Sequence, residues 1–282
     1  MGRADGTRVK NEDPMYYLIP QFLTKRYDAQ NMITVDIPVE PLKQYINAKR
    51  REKKNISHIA LILCAYLKAA ERYPALNRFI VNKKIYQHND FTVSMVVLRP
   101  GAANDTFSKI HLDFGDDLFT VQEKIDNYIN ENRKAQENPL DKLMGVILSM
   151  NGLLSFACGL LRWADNHNLL PKAIIDISPF HASLLISNLA SIRTNHIYHH
   201  VYEFGTTSVG ITMGNMREIP HTVKGEITLE KCIPLGVVMD ERICSGHYFA
   251  QVFSYIKELL SDPSLMEAAA ATEVYGSANA DR

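Results

Sequence analysis

The stretch richest in chemistry runs Pro234-Leu235-Gly236-Val237-Val238-Met239-Asp240-Glu241-Arg242-Ile243-Cys244-Ser245-Gly246-His247. An apolar strand ends there in three charged residues, and a helix opens at a glycine. Histidines form a second group. His196, His199 and His200 lie close together in Asn195-His196-Ile197-Tyr198-His199-His200-Val201-Tyr202, with only Glu203 as an acidic neighbour. Metal binding is one reading; ring nitrogens bonded to backbone or tyrosine hydroxyls is the other. No HExxH pair is present, and Cys64, Cys158, Cys232 and Cys244 are far apart with no CxxC, so no metal site is expected. A third group is the basic run Lys49-Arg50-Arg51-Glu52-Lys53-Lys54. It reads as a solvated helix end, or as a place for an anion.

Three helices must position these groups. Ile59, Ile62, Leu63, Tyr66, Leu67 and Ala70 follow helical spacing, with Ser57 as N-cap and Pro74 past the end. Leu118, Val121, Ile125, Tyr128 and Ile129 form a second stripe; Phe249, Val252, Phe253, Ile256 and Leu260 form a third. Phe79-Ile80-Val81 and Ile85-Tyr86-Gln87 flank Asn82-Lys83-Lys84 as a hairpin. Strands are expected over 91–98, 183–189, 206–213 and 225–239. In the last, Ile227, Leu229, Ile233, Leu235 and Val237 share one face, and Pro234 on the other face points to an edge or a bulge. The fold class that follows is α/β, a two-layer sandwich of mixed β-sheet with helices.

Composition sets the outer limits. The 282 residues carry 31 Lys+Arg against 31 Asp+Glu, a net charge of zero, and 46% are hydrophobic. Such a chain can build a core and is a poor non-specific binder of nucleic acid. No phosphate loop of the GxGxxG or GxxxxGK[ST] type occurs, and no GxSxG elbow. The polar start carries no signal peptide, so a reducing, cytoplasmic setting is expected. The uncharged stretch Leu143 to Leu161 barely reaches membrane-spanning length. Its Ser149, Asn151 and Ser155, and its small-residue stripe Gly145, Gly152 and Gly159, favour a buried helix or helical hairpin over a firm membrane span. One domain over 8–265 is expected, with a helical insertion at about 139–172 and a flexible tail at 266–282.

The 240–246 stretch resembles the chloramphenicol acetyltransferase superfamily, in particular the catalytic core of the dihydrolipoamide acyltransferases of 2-oxo acid dehydrogenase complexes. Their segment reads D-H-R-x-x-D-G. Asp240, Arg242 and Gly246 match it, while Glu241 stands at the histidine and Ser245 at the second aspartate. Tyr73-Pro74-Ala75-Leu76-Asn77 resembles the family's P-x-L-N stretch, and Ile186-Ser187-Asn188-Leu189-Ala190 its I-S-N-L-G strand, in the same order. The resemblance implies a homotrimer with sites between subunits, coenzyme A or acyl-coenzyme A as ligand, and a small-molecule or carrier-linked acyl group as partner. It implies a base at the Glu241 position and a serine, Ser187 first and Ser183 second, for the oxyanion. It also implies an early arginine, Arg26, paired with the motif's second aspartate, the position Ser245 holds.

The departures bear on activity. A carboxylate with pKa about 4.3 is a weaker base than an imidazole at about 6.5, and general-base catalysis is worth about 10²–10⁴-fold. Ser245 cannot neutralise a buried arginine, so Glu241 is expected to pair with Arg26 or Arg242. Three readings follow: an acyltransferase-fold protein with His-based catalysis lost, a pseudoenzyme; an active acyltransferase using Glu241 or another base, His247, His199 or His200; or a protein–protein or membrane-surface module built on 143–161.

Overall fold

The computed structural model describes residues 3–10, 12–97, 106–134, 153–223 and 225–268, with Gly145 and Ser149. Its strands are β1 (Gly6–Arg8), β2 (Gln30–Pro38), β3 (Arg78–Val81), β4 (Lys84–His88), β5 (Phe91–Val97), β6 (Thr106–Leu112), β7 (Leu184–Asn188), β8 (Val209–Met213), β9 (Arg217–Val223) and β10 (Glu226–Asp240). Its helices are α1 (Pro14–Phe22), α2 (Val39–Arg51), α3 (His58–Arg72), α4 (Leu118–Lys134), α5 (Leu154–Asn166), α6 (Lys172–Ile177) and α7 (Gly246–Ser261). A seven-stranded sheet runs β2-β10-β8-β7-β5-β6, with β9 on the outer half of β10; a three-stranded sheet runs β1-β4-β3. The large sheet is mixed, because β7 pairs parallel to both β5 and β8 while the other pairs are antiparallel.

Helix α3 is the centre of the core. Ser57 caps it by accepting a hydrogen bond from the Ala60 N–H at 3.2 Å. Every residue from Ile59 to Ala70 is buried, so this helix is covered all round. Together with α4, α7 and the inward faces of β5, β7, β8 and β10 it makes one apolar cluster. The β3–β4 hairpin turns at Asn82 and Lys83, both with positive φ (46° and 61°), the conformation that matches strand twist in a tight turn.

Three expectations change. Pro234 lies between β2 and β8 in the interior of the sheet. Its carbonyl accepts from the Gly214 N–H at 3.0 Å, beyond the end of β8, so its missing N–H falls where the β8 ladder has stopped. The described part of 143–161 is not a buried helix: Leu153, Leu154, Phe156 and Leu160 are exposed, and the one buried residue of α5 is Asp165. The remainder of that stretch lies outside the described residues. At the other end, Met266 is fully buried in a 3-10 turn, Pro263–Met266, and Glu267 accepts from the Tyr45 hydroxyl at 3.0 Å and pairs with Lys49 at 2.9 Å. The domain thus runs past 265, and 269–282 lies outside the described residues.

Candidate active site

β10 carries the motif because it is the longest strand and the best held at its end. β2 pairs with it from Cys232 to Asp240, and the ladder continues one step further, Glu241 N–H donating to the Ala29 carbonyl at 2.9 Å. The chain then turns sharply into α7. Ser245 is the N-cap, its hydroxyl accepting from the Tyr248 N–H at 3.2 Å. A serine satisfies an orphan helix donor as an aspartate would, so this substitution keeps the turn. Gly246 opens α7 with free space where a side chain would start, so the described chain does not itself require a glycine there.

Asp240 is fully buried between two arginines. Arg242 donates to it three times, backbone N–H to Oδ1 at 3.1 Å, Nε to Oδ1 at 2.8 Å and NH2 to Oδ2 at 2.7 Å, and Arg26 Nε lies 3.5 Å from Oδ2. Arg26 also donates to the carbonyls of Tyr202, Ile80 and Gly205, and Arg242 to that of Leu23. Burial first, and then the charge of Arg242, push the Arg26 guanidinium below the ordinary arginine value, against the pull of Asp240 and Glu203. Arg26 therefore lies beside Asp240, the first acid of the motif, and shares it with Arg242, whereas the aspartate that the resemblance pairs with the early arginine is Ser245 here.

Glu241 is not the ion-pair member that was expected. Asp240 takes both arginines, and the Glu241 carboxylate instead accepts from the Asn31 amide, Nδ2 to Oε2 at 2.6 Å. The side chain is half-buried and lines a cavity of about 460 Å³ with Met15, Leu18, Ile19, Phe22 and Ser245. Helix α1 walls this cavity and is held there by the Ser245 N–H, which donates to the Tyr16 hydroxyl at 3.1 Å. Met15, Leu18 and Phe22 leave apolar surface exposed beside the carboxylate.

The serines separate cleanly. Ser183 is buried in a backbone-pinning role, accepting from the Thr92 N–H at 3.2 Å and donating to the Asp90 carbonyl at 3.3 Å. Ser187, on β7, stands on one rung of the sheet with Thr212 and Gly236. Glu241 is five residues beyond Gly236. At about 3.3 Å per residue and about 4.8 Å per strand, Ser187 and Glu241 are about 19 Å apart within one chain. The structure does not bring these two candidates together.

The histidine segment does not converge either. Residues Thr194 to Val201 cross the sheet where Gly236 lets them: a Cβ there would lie 2.3 Å from the Ile197 carbonyl. Thr212 accepts from the Ile197 N–H at 3.1 Å and donates to the Ile197 carbonyl. His196 Nε2 meets the Thr34 hydroxyl at 3.1 Å, and His199 Nδ1 meets the His200 carbonyl at 3.0 Å. His247 is exposed on α7. Asn31 was not among the candidates; its signal is the β2 register, which the alternation Ile33-Thr34-Val35-Asp36-Ile37 carries weakly.

The model of the 2-oxoacid dehydrogenases acyltransferase family (catalytic domain) matches residues 182–268. This span holds β7, β8, β10 and the motif turn. A probable dihydrolipoamide acetyltransferase from Listeria monocytogenes 4b F2365 superposes with TM-score 0.58 at 13% identity, over 95% of this chain and 99% of that one. The dihydrolipoamide acetyltransferase of Azotobacter vinelandii gives 0.58 at 12% identity, over 92% and 94%. A chloramphenicol acetyltransferase gives 0.55 at 13%, over 90% and 99%. The chain has the chloramphenicol acetyltransferase-like fold. No curated protein matches it in sequence. Within this fold the match covers nearly the full length of both partners, and the α/β class expected from the sequence is the one found. Among the described residues, no helix is long and apolar enough to cross a membrane.

Proposed function

We propose that this protein binds coenzyme A or a carrier-linked thioester in an acyltransferase-type site that lacks the histidine base, and that any acyl transfer it performs is slow. The observation that carries this reading is the split between scaffold and chemistry in one turn. Asp240, Arg242 and Arg26 form a buried ion cluster, Ser245 gives up the carboxylate but keeps the helix cap, and the position that would remove a proton becomes Glu241. A carboxylate is the weaker base by about two pKa units, and it places negative charge where an attacking thiolate would form.

The roughly 19 Å between Ser187 and Glu241 supports a homotrimer in which one chain lends Ser187 to a neighbour's Glu241. The apolar edge of α1 beside Glu241 supports a contact there with another chain or with the acyl group.

The test has two parts. Coenzyme A at 100 times its Kd should raise stability by about 2.7 kcal/mol, read as a thermal shift. Acetyl transfer from acetyl-coenzyme A to small thiols should be slow, unaffected by Glu241→Gln, and raised by Glu241→His combined with Ser245→Asp. Rapid turnover by the wild type that Glu241→Gln abolishes refutes the reading and favours Glu241 as a working base, for which its hydrogen bond from Asn31 and its place on a cavity wall would be the structural grounds.

A further inference from the structure

We infer that the β9–β10 hairpin holds a zinc site made by His221, Glu230 and Cys232, independent of the turn at Glu241. The three donor atoms lie within 4.8 Å of one another. The register explains why. Thr228 pairs with His221, Glu230 with Ile219 and Cys232 with Arg217, so Glu230 and Cys232 share one face of β10 and His221 stands diagonally across on the same face of β9. His221 Nε2 is 3.0 Å from Glu230 Oε2, and Cys232 Sγ is 3.9 Å from the same oxygen.

Those spacings suit a tetrahedral ion. With Zn–N, Zn–O and Zn–S of about 2.0, 2.0 and 2.3 Å, tetrahedral angles place N and O about 3.3 Å apart and S and O about 3.5 Å apart. The observed N–O separation is about 0.3 Å shorter and the S–O separation about 0.4 Å longer than these, and the third pair, a His221 ring nitrogen and Cys232 Sγ, lies within 4.8 Å, so side-chain rotation must draw the ligands onto the ion. The donor set of one imidazole, one carboxylate and one thiolate is borderline-soft, which favours zinc over calcium or magnesium. A dication with one carboxylate and one thiolate is charge-neutral. The nearest cation on the hairpin, Arg217, is engaged by Asp36 at 3.0 and 3.2 Å. Cys232 is buried, Glu230 half-buried and His221 exposed, so the fourth coordination position opens outward. His221 and Glu230 also line a groove of about 680 Å³ between the hairpin and α2, with Glu40, Lys43 and Arg50 opposite. Nothing in the linear spacing announces the site, because its ligands come from two strands joined by a turn.

The experiment uses the full chain in a Cys158→Ser background, since Cys158 is the exposed free thiol. Zinc is titrated by calorimetry, and cobalt(II) serves as the spectroscopic probe. Expected are one zinc per chain and a thiolate-to-cobalt charge-transfer band that Cys232→Ser abolishes. His221→Ala and Glu230→Gln should each weaken zinc by at least about tenfold, given that losing even an outer-shell partner costs about 10–100-fold. Circular dichroism in EDTA checks that each variant folds. If Cys232→Ser does not fold, the surface change His221→Ala decides. A background protein that binds zinc no more tightly than His221→Ala, or a cobalt spectrum without the thiolate band, overturns the inference.

Discussion

Neutralising Asp240 separates the structural part of the motif from its chemical part. Asp240→Asn removes the one carboxylate that two buried guanidinium groups share, at 2.7, 2.8 and 3.5 Å. The asparagine oxygen can still accept from Arg242, but its amide then faces a donor, and the Arg26 guanidinium loses its nearest countercharge, keeping three carbonyl partners and the weaker pull of Glu203. Leaving a buried charge uncompensated costs about 3–5 kcal/mol, a large share of a total stability of about 5–15 kcal/mol. Ser245→Ala removes one cap bond and should cost about 1 kcal/mol. Glu241→Gln changes a half-exposed side chain whose partner, the Asn31 amide, can still donate to the new carbonyl, and should stay within about 0.5 kcal/mol. Urea unfolding of the three variants at one fixed protein concentration checks the order, since association would otherwise shift the midpoints. If Glu241→Gln costs as much as Asp240→Asn, Glu241 is part of the scaffold and the division drawn here is refuted. A near-neutral Asp240→Asn refutes it equally.

Two further outcomes follow from buried groups. Burial holds His88 down to about pH 4, against an ordinary 6.5, although Asp5 and the Thr206 carbonyl pull it up. Between those values the unfolded chain carries the extra proton, so stability falls as the pH drops from 6.5 to 4, by about 3 kcal/mol at its fullest; His88→Gln should flatten that part of a urea-midpoint-against-pH plot. Asp165 acts lower: burial raises it, but His181 and Arg3 together bring it to about 2, so its contribution is lost as the pH falls from 3.8 toward 2 and should survive in the His88 variant. Gly205 has φ +94° and an added Cβ would sit 2.1 Å from the Phe180 carbonyl oxygen, so Gly205→Ala should lower the urea midpoint by an amount equivalent to at least about 1–3 kcal/mol.

What was readable in the sequence was what local physics decides. The α3 cap at Ser57, the tight turn at Asn82 and the opening of α7 each rest on residues within a few positions of one another, and each is where it was expected. Strand β2 escaped, although it carries nine of the β10 pairings, because only Val35 and Ile37 of its residues face the core strongly and Met32 and Ile33 are exposed. Pro234 misled because the rule against proline inside a sheet assumes that both neighbours extend past it, and β8 does not. The exposed apolar face of α5 was read as buried because composition reports how apolar a segment is and not what covers it.

The candidate site divides along the same line. The pairing of Arg26 with Asp240 spans more than two hundred residues and is invisible to periodicity; the resemblance pointed to Arg26, but with the position of Ser245 as its partner. The error over Glu241 came from counting charges without geometry. Two arginines and one aspartate seemed to need a second carboxylate, yet a planar carboxylate has two oxygens and about four acceptor positions. Arg242 occupies both oxygens side-on, and Arg26 Nε stands 3.5 Å from Oδ2 as an ion pair without a hydrogen bond, its NH1 and NH2 groups going to backbone carbonyls. One buried acid thus faces both cations, and Glu203 adds to the field at Arg26. The residue at 241 lies outside this cluster, its carboxylate bonded to Asn31, so the buried ion pairs do not depend on which side chain stands there.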